Sequence, residues 1–558
     1  MKTRLLAYAS GAVLIGIGLL GIVRDLDDPV GWAVWFAGVV VAHDAVLMPA
    51  VLAAGALTGR LPDAYRRGAQ VALAMAAVVS LVALPLVLGK GRRADNPSQL
   101  PLSYGWNLLV VLAVIAAAFG LPALWRRNRQ AAAVAVWALL VAGSFLVGDR
   151  LRRAGVATED ALPPLHAEGR LLTWQLLPAV LVAGAAVAAL PVLSRRLPWT
   201  WTLLAAWATS ALWAVSLAMS DGWDALAGPL NAPTEYPAGI AAVGDDPLAW
   251  TRTFTEKLGG YTTHVRGHPP LPTLLLWGLD AAGAHGTGWS AALIIAAGSS
   301  AVVAVALTVR TLAGEETARR VVPFLALAPF AVWIATSMDA FFMGVGAWAV
   351  ALVAVGARRG SLTVAAGGGL LLGTLPYLSY GLLPLFAVPA VVLLLTRPRV
   401  RVLAAIGCGA VIVPLAFTLA GFWWLDGVEA THATYLISRG SAQRPYAYFA
   451  VANLAVLGLL VGPAVAHALP AALGDLRGGL KHLGTPAAAA ALLAGAGLLG
   501  TLALDASGVT RGEVERIWLP YAAWVVVAAA RHREPARGPL AAQAVTAVLV
   551  QALVLSPW

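Results

Sequence analysis

Along most of the chain, apolar stretches of about twenty residues alternate with short polar breaks, and a helix needs about that length to cross a hydrocarbon core roughly 30 Å thick. Inside lipid a backbone has to satisfy its own hydrogen bonds, so each stretch is predicted as a helix. A membrane β-barrel would show short segments of alternating polarity instead, and the sequence has no such run. The pattern therefore predicts an all-α, polytopic membrane protein of about seventeen spans. Seven fall near 5–23, 30–57, 68–89, 105–124, 131–148, 172–193 and 200–219. The others fall near 289–311, 320–337, 341–357, 361–376, 379–396, 402–422, 447–469, 484–504, 517–531 and 538–556.

One long polar segment, 220–288, interrupts this rhythm. Residues 1–196 form an N-terminal membrane region of about six helices, to which the sequence assigns no function. Residues 197–558 form a second membrane domain that opens with one span and then this loop. Within the loop, Pro269, Pro270 and Pro272 prevent a regular span from starting. The apolar stretch 271–283 is short for a span and is predicted as a helix lying in the interface.

Composition sharpens the class. Charged residues make up 12% of the 558, half of the roughly 25% of a soluble domain. The net charge of +11 would raise nucleic acid as a partner in a soluble protein. Here the basic residues sit beside apolar runs: Arg126 and Arg127, Arg195 and Arg196, Arg358 and Arg359, 397–401 and 531–537. That placement is the positive-inside bias together with contact to anionic lipid, and nucleic acid is excluded. It puts the N-terminus in the cytoplasm of a multi-pass cell-membrane protein, with Lys2 and Arg4 ahead of a retained first helix. Lys90–Arg93 and Arg150–Arg153 run against the rule. In this orientation the extracytoplasmic face receives 220–288, Met338–Asp339, Pro376–Ser379, 423–446 and 505–516. Long loops that carry the unusual polar residues are where recognition or chemistry concentrates.

The single cysteine, Cys408, excludes an internal disulfide and a cysteine metal site. No zinc site is expected, and no P-loop or GxGxxG is present for nucleotide chemistry. His43 and Asp44 lie inside an apolar run, either as a proton or cation relay or as a helix-packing hydrogen bond.

Four elements in 197–558 appear in a telling order. Thr234-Glu235-Tyr236 and His268-Pro269-Pro270-Leu271 lie in the large loop, Ser337-Met338-Asp339 at a later span end, and Arg516-Ile517-Trp518-Leu519-Pro520 at the opening of a late span. Together they resemble the GT-C membrane glycosyltransferases, which use polyprenyl-phosphate sugars and include the protein O-mannosyltransferase and aminoarabinose-transferase branches. The resemblance implies transfer of a sugar from a polyprenyl-phosphate donor to a cell-envelope glycan, lipid or protein on the extracytoplasmic face. It implies a carboxylate that takes the acceptor's proton and cations that meet the leaving phosphate. Where the family has an Asp-Glu pair, this chain has Thr234 before Glu235. Glu235 is thus the candidate base, with Asp245, Asp246 and Asp221 as alternatives.

Arg516, Arg444 and Arg266 are the candidate phosphate partners, because guanidinium stays charged and forks onto phosphate oxygens. His264, His268, Asp339, Trp424 and Tyr446 are candidate substrate contacts. Asp339 could instead cap its helix, and the aromatic residues could belong to an interfacial belt. Glu513 and Glu515 are expected to pair with Arg511 and Arg516. No cofactor is fixed, and a divalent cation stays open. The competing classes are a transporter or flippase of lipid-linked or small polar substrates, and a non-catalytic scaffold.

Overall fold

The computed structural model describes residues 2–25, 27–90, 92–93, 100, 102–158, 161–437, 441–479 and 483–558. Among them are eleven helices long and apolar enough to cross a membrane. Five shorter apolar helices accompany them: Tyr8–Gly21, Leu271–Ala281, Leu362–Leu378, Tyr380–Thr396 and Leu519–Arg531. The all-α, multi-pass architecture holds among the described residues, with a two-residue antiparallel pairing of Glu168–Gly169 on Val554–Leu555 as the sheet.

Prolines explain why several expected spans are shorter or broken, since each removes an amide donor from the helix ladder. The region expected at 320–337 is a helix over Glu315–Ala326 followed by a 3-10 turn at Pro329–Trp333. The region at 379–396 starts as a 3-10 segment, Tyr380–Phe386, containing Pro384, and becomes α-helical only over Ala387–Thr396. The long element Tyr446–Gly479 is broken at Gly462, where φ is 80° and Pro463 follows.

The chain divides into two compact units, Met1–Arg127 and Asn128–Trp558. This packing break falls earlier than the sequence's change of character at 197. Helices Arg129–Arg153 and Leu177–Arg196 belong to the second unit through specific ties. Trp137 Nε1 donates to Gly458 O (2.9 Å), Tyr448 Oη to Ser144 O (2.9 Å), and Arg537 Nη2 to Ala188 O (3.2 Å).

In the first unit the helix Pro29–Ala42 runs through a π-helical turn, His43–Leu47, into Met48–Gly59. The most apolar windows of Pro29–Gly59 and Asp63–Val87 have no residue buried inside the protein, so those apolar side chains are left on its surface.

The second unit packs through small residues. A side chain at Gly344 would strike the backbone of Ala297, and one at Gly369 or Gly373 the backbone of Ile406 or Ala410. Such close approach is how membrane helices gain dispersion contact when lipid supplies no hydrophobic drive. The polar segment 220–288 is an ordered layer of short helices and 3-10 turns between the long helices ending at Ala218 and starting at Thr287. Trp250, Phe254, Tyr261 and Phe422 form its aromatic core, with ring centroids 5.0–5.8 Å apart. Trp277 Nε1 also ties the helix Leu271–Ala281 to Gly244 O (2.9 Å).

Candidate functional site

Four remote stretches of the second unit meet in one buried cluster. Arg516 sits in a single helical turn, Val514–Ile517, directly before Leu519–Val525. Its Nη1 donates to Asp339 Oδ2 at 2.8 Å, and both side chains are only 7% exposed. Its Nη2 donates to Glu513 Oε2 at 2.7 Å and lies 3.4 Å from His264 Nε2. The guanidinium stacks on the Trp558 ring, 4.6 Å from its centroid. Its Nε is buried without a hydrogen-bond partner.

His264 continues the chain of polar groups. Its Nδ1 lies 2.9 Å from Glu235 Oε2, near enough for an ion pair. The ring direction misses the carboxylate, so the contact is electrostatic rather than an aligned hydrogen bond. Two bonds to backbone carbonyls set the histidine beside the glutamate: His264 N donates to Thr234 O (3.0 Å), and Thr262 Oγ1 to Glu235 O (3.4 Å). Tyr236 fills the space between His264 and His268, with centroids 5.6 and 5.4 Å away.

Asp339 stands in the first turn of Met338–Arg359, and Ser337 holds the cap position. The Asp339 carboxylate is thus spent on Arg516 rather than on its own helix end.

The segment carrying Arg516 is fixed by a reciprocal arginine tie. Arg511 Nη1 donates to Ala442 O (3.0 Å) and Arg444 O (2.9 Å), while Arg444 Nη1 donates to Arg511 O (2.8 Å). Arg444 also stands 3.7 Å from Glu513 Oε1, which brings a second cation to the cluster's edge. Glu513 adopts φ 57°, a left-handed conformation that costs a non-glycine residue roughly 1–3 kcal/mol. Its ion pairs to Arg516 and Arg444 offset that cost.

The electrostatics follow from this pairing. Burial works against charge on Arg516, but Asp339 and Glu513 hold its guanidinium protonated even more firmly than usual. Burial likewise opposes the Glu513 carboxylate, yet Arg516, Arg444 and His166 pull its pKa down to about 2. Burial lowers His268 to about 4, so its imidazole is neutral near pH 7. Burial, reinforced by Asp339, raises the Tyr236 phenol well above its ordinary value.

Not every candidate joins the cluster. Asp245 and Asp246 are exposed, and Asp246 accepts from Ala249 N (2.9 Å) as the cap of Pro247–Arg252. Asp221 is paired with Arg170, whose Nη2 also reaches Ser220 Oγ at 2.9 Å. Arg266 ends the short helix Thr263–Arg266, and its side chain makes no ion pair among the described residues. Trp424 Nε1 donates to Pro376 O (2.8 Å), and Tyr446 Oη to Ala506 O (3.3 Å), so both polar tips bind carbonyls in the last turns of neighbouring helices.

Glu513 pairs with Arg516 as expected, whereas Glu515 accepts the backbone N–H of His166 (3.0 Å). His166 and Trp558 are the participants that sequence reasoning missed. Their rings lie 4.9 Å apart, and Trp558 is also 6.2 Å from His264. Neither belongs to a motif, and only tertiary structure brings them in.

The chain does carry a His-x-x-x-His spacing, His264 to His268, which the expectation of no zinc site passed over. The two rings meet edge-on at 86°, and His268 Nδ1 is engaged by His264 O at 3.0 Å. Among the described residues no group of three or more His, Cys, Asp or Glu side chains is arranged to hold a metal ion.

As it stands, the arrangement sets the buried Glu235 carboxylate beside the His264 imidazole, and the Arg516 guanidinium within reach of that imidazole. Compared with protein-family models, curated proteins and solved structures, the chain matches none of them.

Proposed function

We propose that the chain is a membrane glycosyltransferase of the GT-C kind, moving a sugar from a polyprenyl-phosphate donor to a cell-envelope acceptor on the extracytoplasmic face. The observation that supports this most is the convergence of Glu235, His264, Arg516 and Asp339 from the large loop and two distant helix starts. Each comes from a stretch that the GT-C resemblance singles out or adjoins.

In this reading Glu235 takes the proton of the acceptor hydroxyl. The acceptor oxygen bonds to the sugar's anomeric carbon as the bond from that carbon to the phosphate oxygen breaks. The phosphate leaves with the electron pair and is met by Arg516 and Arg444. Arg516 already holds two carboxylates, so an arriving phosphate has to exchange with one of them. Glu513 is the one to leave, with its side chain 27% exposed against 7% for Asp339. Asp339 then keeps the guanidinium aimed, and His264 orients Glu235. The acidic pair Asp245–Asp246 has no part in the step, because one of them caps a helix and both face solvent.

The test is transfer by the purified protein in nanodiscs supplied with polyprenyl-phosphate-linked sugars and a cell-envelope extract. The native chain transfers label, and Glu235→Gln loses it by at least about a hundredfold while remaining folded. Arg516→Lys lowers kcat more than it raises KM. Full transfer by Glu235→Gln would overturn the assignment of the base. Absence of transfer by the native chain across the donor series would overturn the function.

A further inference from the structure

Between Asp339 and Asp426 the chain has no acidic residue, no lysine and no histidine, yet it has five arginines. All five, Arg358, Arg359, Arg397, Arg399 and Arg401, line one groove of about 460 Å³. They come from the end of Met338–Arg359, the turn after Ala387–Thr396 and the start of Val400–Leu419. None of the five makes an ion pair among the described residues, and no carboxylate lines the groove.

Several arginines elsewhere in the same unit are matched internally: Arg195 with Glu534, Arg310 and Arg319 with Glu315, Arg531 with Asp475. The groove instead gathers five arginines with no such match. Arg397 itself stands in the left-handed region, at φ 47°, and turns the chain so that the two arginine-bearing segments share one wall.

Two longer helices start at this groove, Leu362–Leu378 and Val400–Leu419, and neither has a side-chain cap on its first-turn N–H groups. Like charges gathered in one groove repel, and an anion from outside the chain relieves that repulsion. The two helix starts are balanced by the two helix ends at the same groove, so the arginines carry the positive charge. The volume falls within the 300–1,000 Å³ range usual for a small-molecule site. Guanidinium forks suit phosphate oxygens, and a basic pocket between membrane helices suits a lipid headgroup.

We propose that this groove is a binding site for the phosphate of an anionic membrane lipid. The site is separate from the Glu235–Arg516 cluster and independent of the glycosyltransferase reading. The lipid's phosphate lies among the five guanidiniums, and its acyl chains run along the apolar flanks of the neighbouring helices.

Lysine replacements provide the test, because they keep the charge and hence the positive-inside signal but remove the fork. Native protein in phosphatidylcholine nanodiscs doped with phosphatidylglycerol is compared with R358K/R397K/R399K/R401K and with a control, R126K/R127K. Native mass spectrometry counts the lipid retained. Native and control proteins keep phosphatidylglycerol over phosphatidylcholine, and the groove variant loses that retention at least about fivefold. The single variant Arg399→Lys, which disturbs folding least, shows a smaller loss in the same direction. Equal retention by groove and control variants would overturn the site. A shift in thermal stability in pure phosphatidylcholine with inorganic phosphate, matching that with phosphatidylglycerol, would identify a soluble anion and overturn the lipid assignment.

Discussion

Two sets of arginines in the same membrane unit stand in opposite circumstances. Arg516 is almost fully buried and engages two carboxylates, a tryptophan face and a histidine. The five arginines of the 358–401 groove are mostly exposed and engage no carboxylate among the described residues. The difference follows from the cost of desolvation. A guanidinium taken out of water needs partners supplied by the chain, whereas one left at the surface stays solvated until an external anion arrives. The first arrangement fixes geometry, and the second keeps charge available.

The largest expected effect breaks this comparison directly. Arg516→Ala leaves Asp339 buried without its cation and Glu513 with Arg444 alone, at about 3–5 kcal/mol in unfolding from mixed micelles. Arg399→Ala at the groove stays within about 0.5 kcal/mol. Equal costs at the two places would show that burial and pairing do not separate them.

Acid sharpens the contrast next. His268 is held neutral, with its pKa below the ordinary 6.5, so unfolding takes up a proton between pH 6.5 and about 4. Its contribution is complete above pH 6.5 and is lost as pH falls through that window. Glu513 is depressed from 4.5 to about 2, so its contribution is complete above pH 4.5 and is lost as pH falls toward 2. Unfolding midpoints followed against pH should fall in both windows, and His268→Gln should flatten the upper one. The groove arginines contribute to neither.

A smaller effect separates the two acidic candidates near the loop's helix Pro247–Arg252. Asp246→Ala costs about 1 kcal/mol as a lost cap, while Asp245→Ala costs nearly nothing, and neither changes sugar transfer. Loss of transfer in the Asp246 variant, with the fold kept, would return the base assignment to that pair.

Much of this was legible in the sequence because the controlling physics is local. Span-length apolar runs fix helices, but the expected spans 320–337 and 379–396 run straight through Pro329 and Pro384, where the structure turns 3-10. Glu235, Asp339 and Arg516 could be named because their short motifs resemble those of the GT-C glycosyltransferases, and His264 as a polar residue of the same loop as Glu235. The choice between Glu235 and Asp246 could not be made. Both are acidic residues of one loop, and only burial against His264 or the capping of Ala249 tells them apart. Trp558 and His166 were out of reach, because the contacts Trp558–His264 and His166–Glu515 span hundreds of positions and Trp558–Arg516 spans 42, leaving no local spacing. The packing break at 127/128 was hidden for a similar reason. Helix Arg129–Arg153 has the same apolar profile as its predecessor, and its membership depends on bonds to residues beyond 440.

The central claim is that stretches 177 positions apart close a buried ion pair between Asp339 and Arg516. A double-mutant cycle with Asp339→Asn and Arg516→Gln, read by unfolding in mixed micelles, tests it most directly. The expected result is a double variant less destabilised than the sum of the singles, with a coupling of about 0.5–3 kcal/mol. Additivity, with each single variant destabilised on its own account, would contradict the pairing and the site built on it.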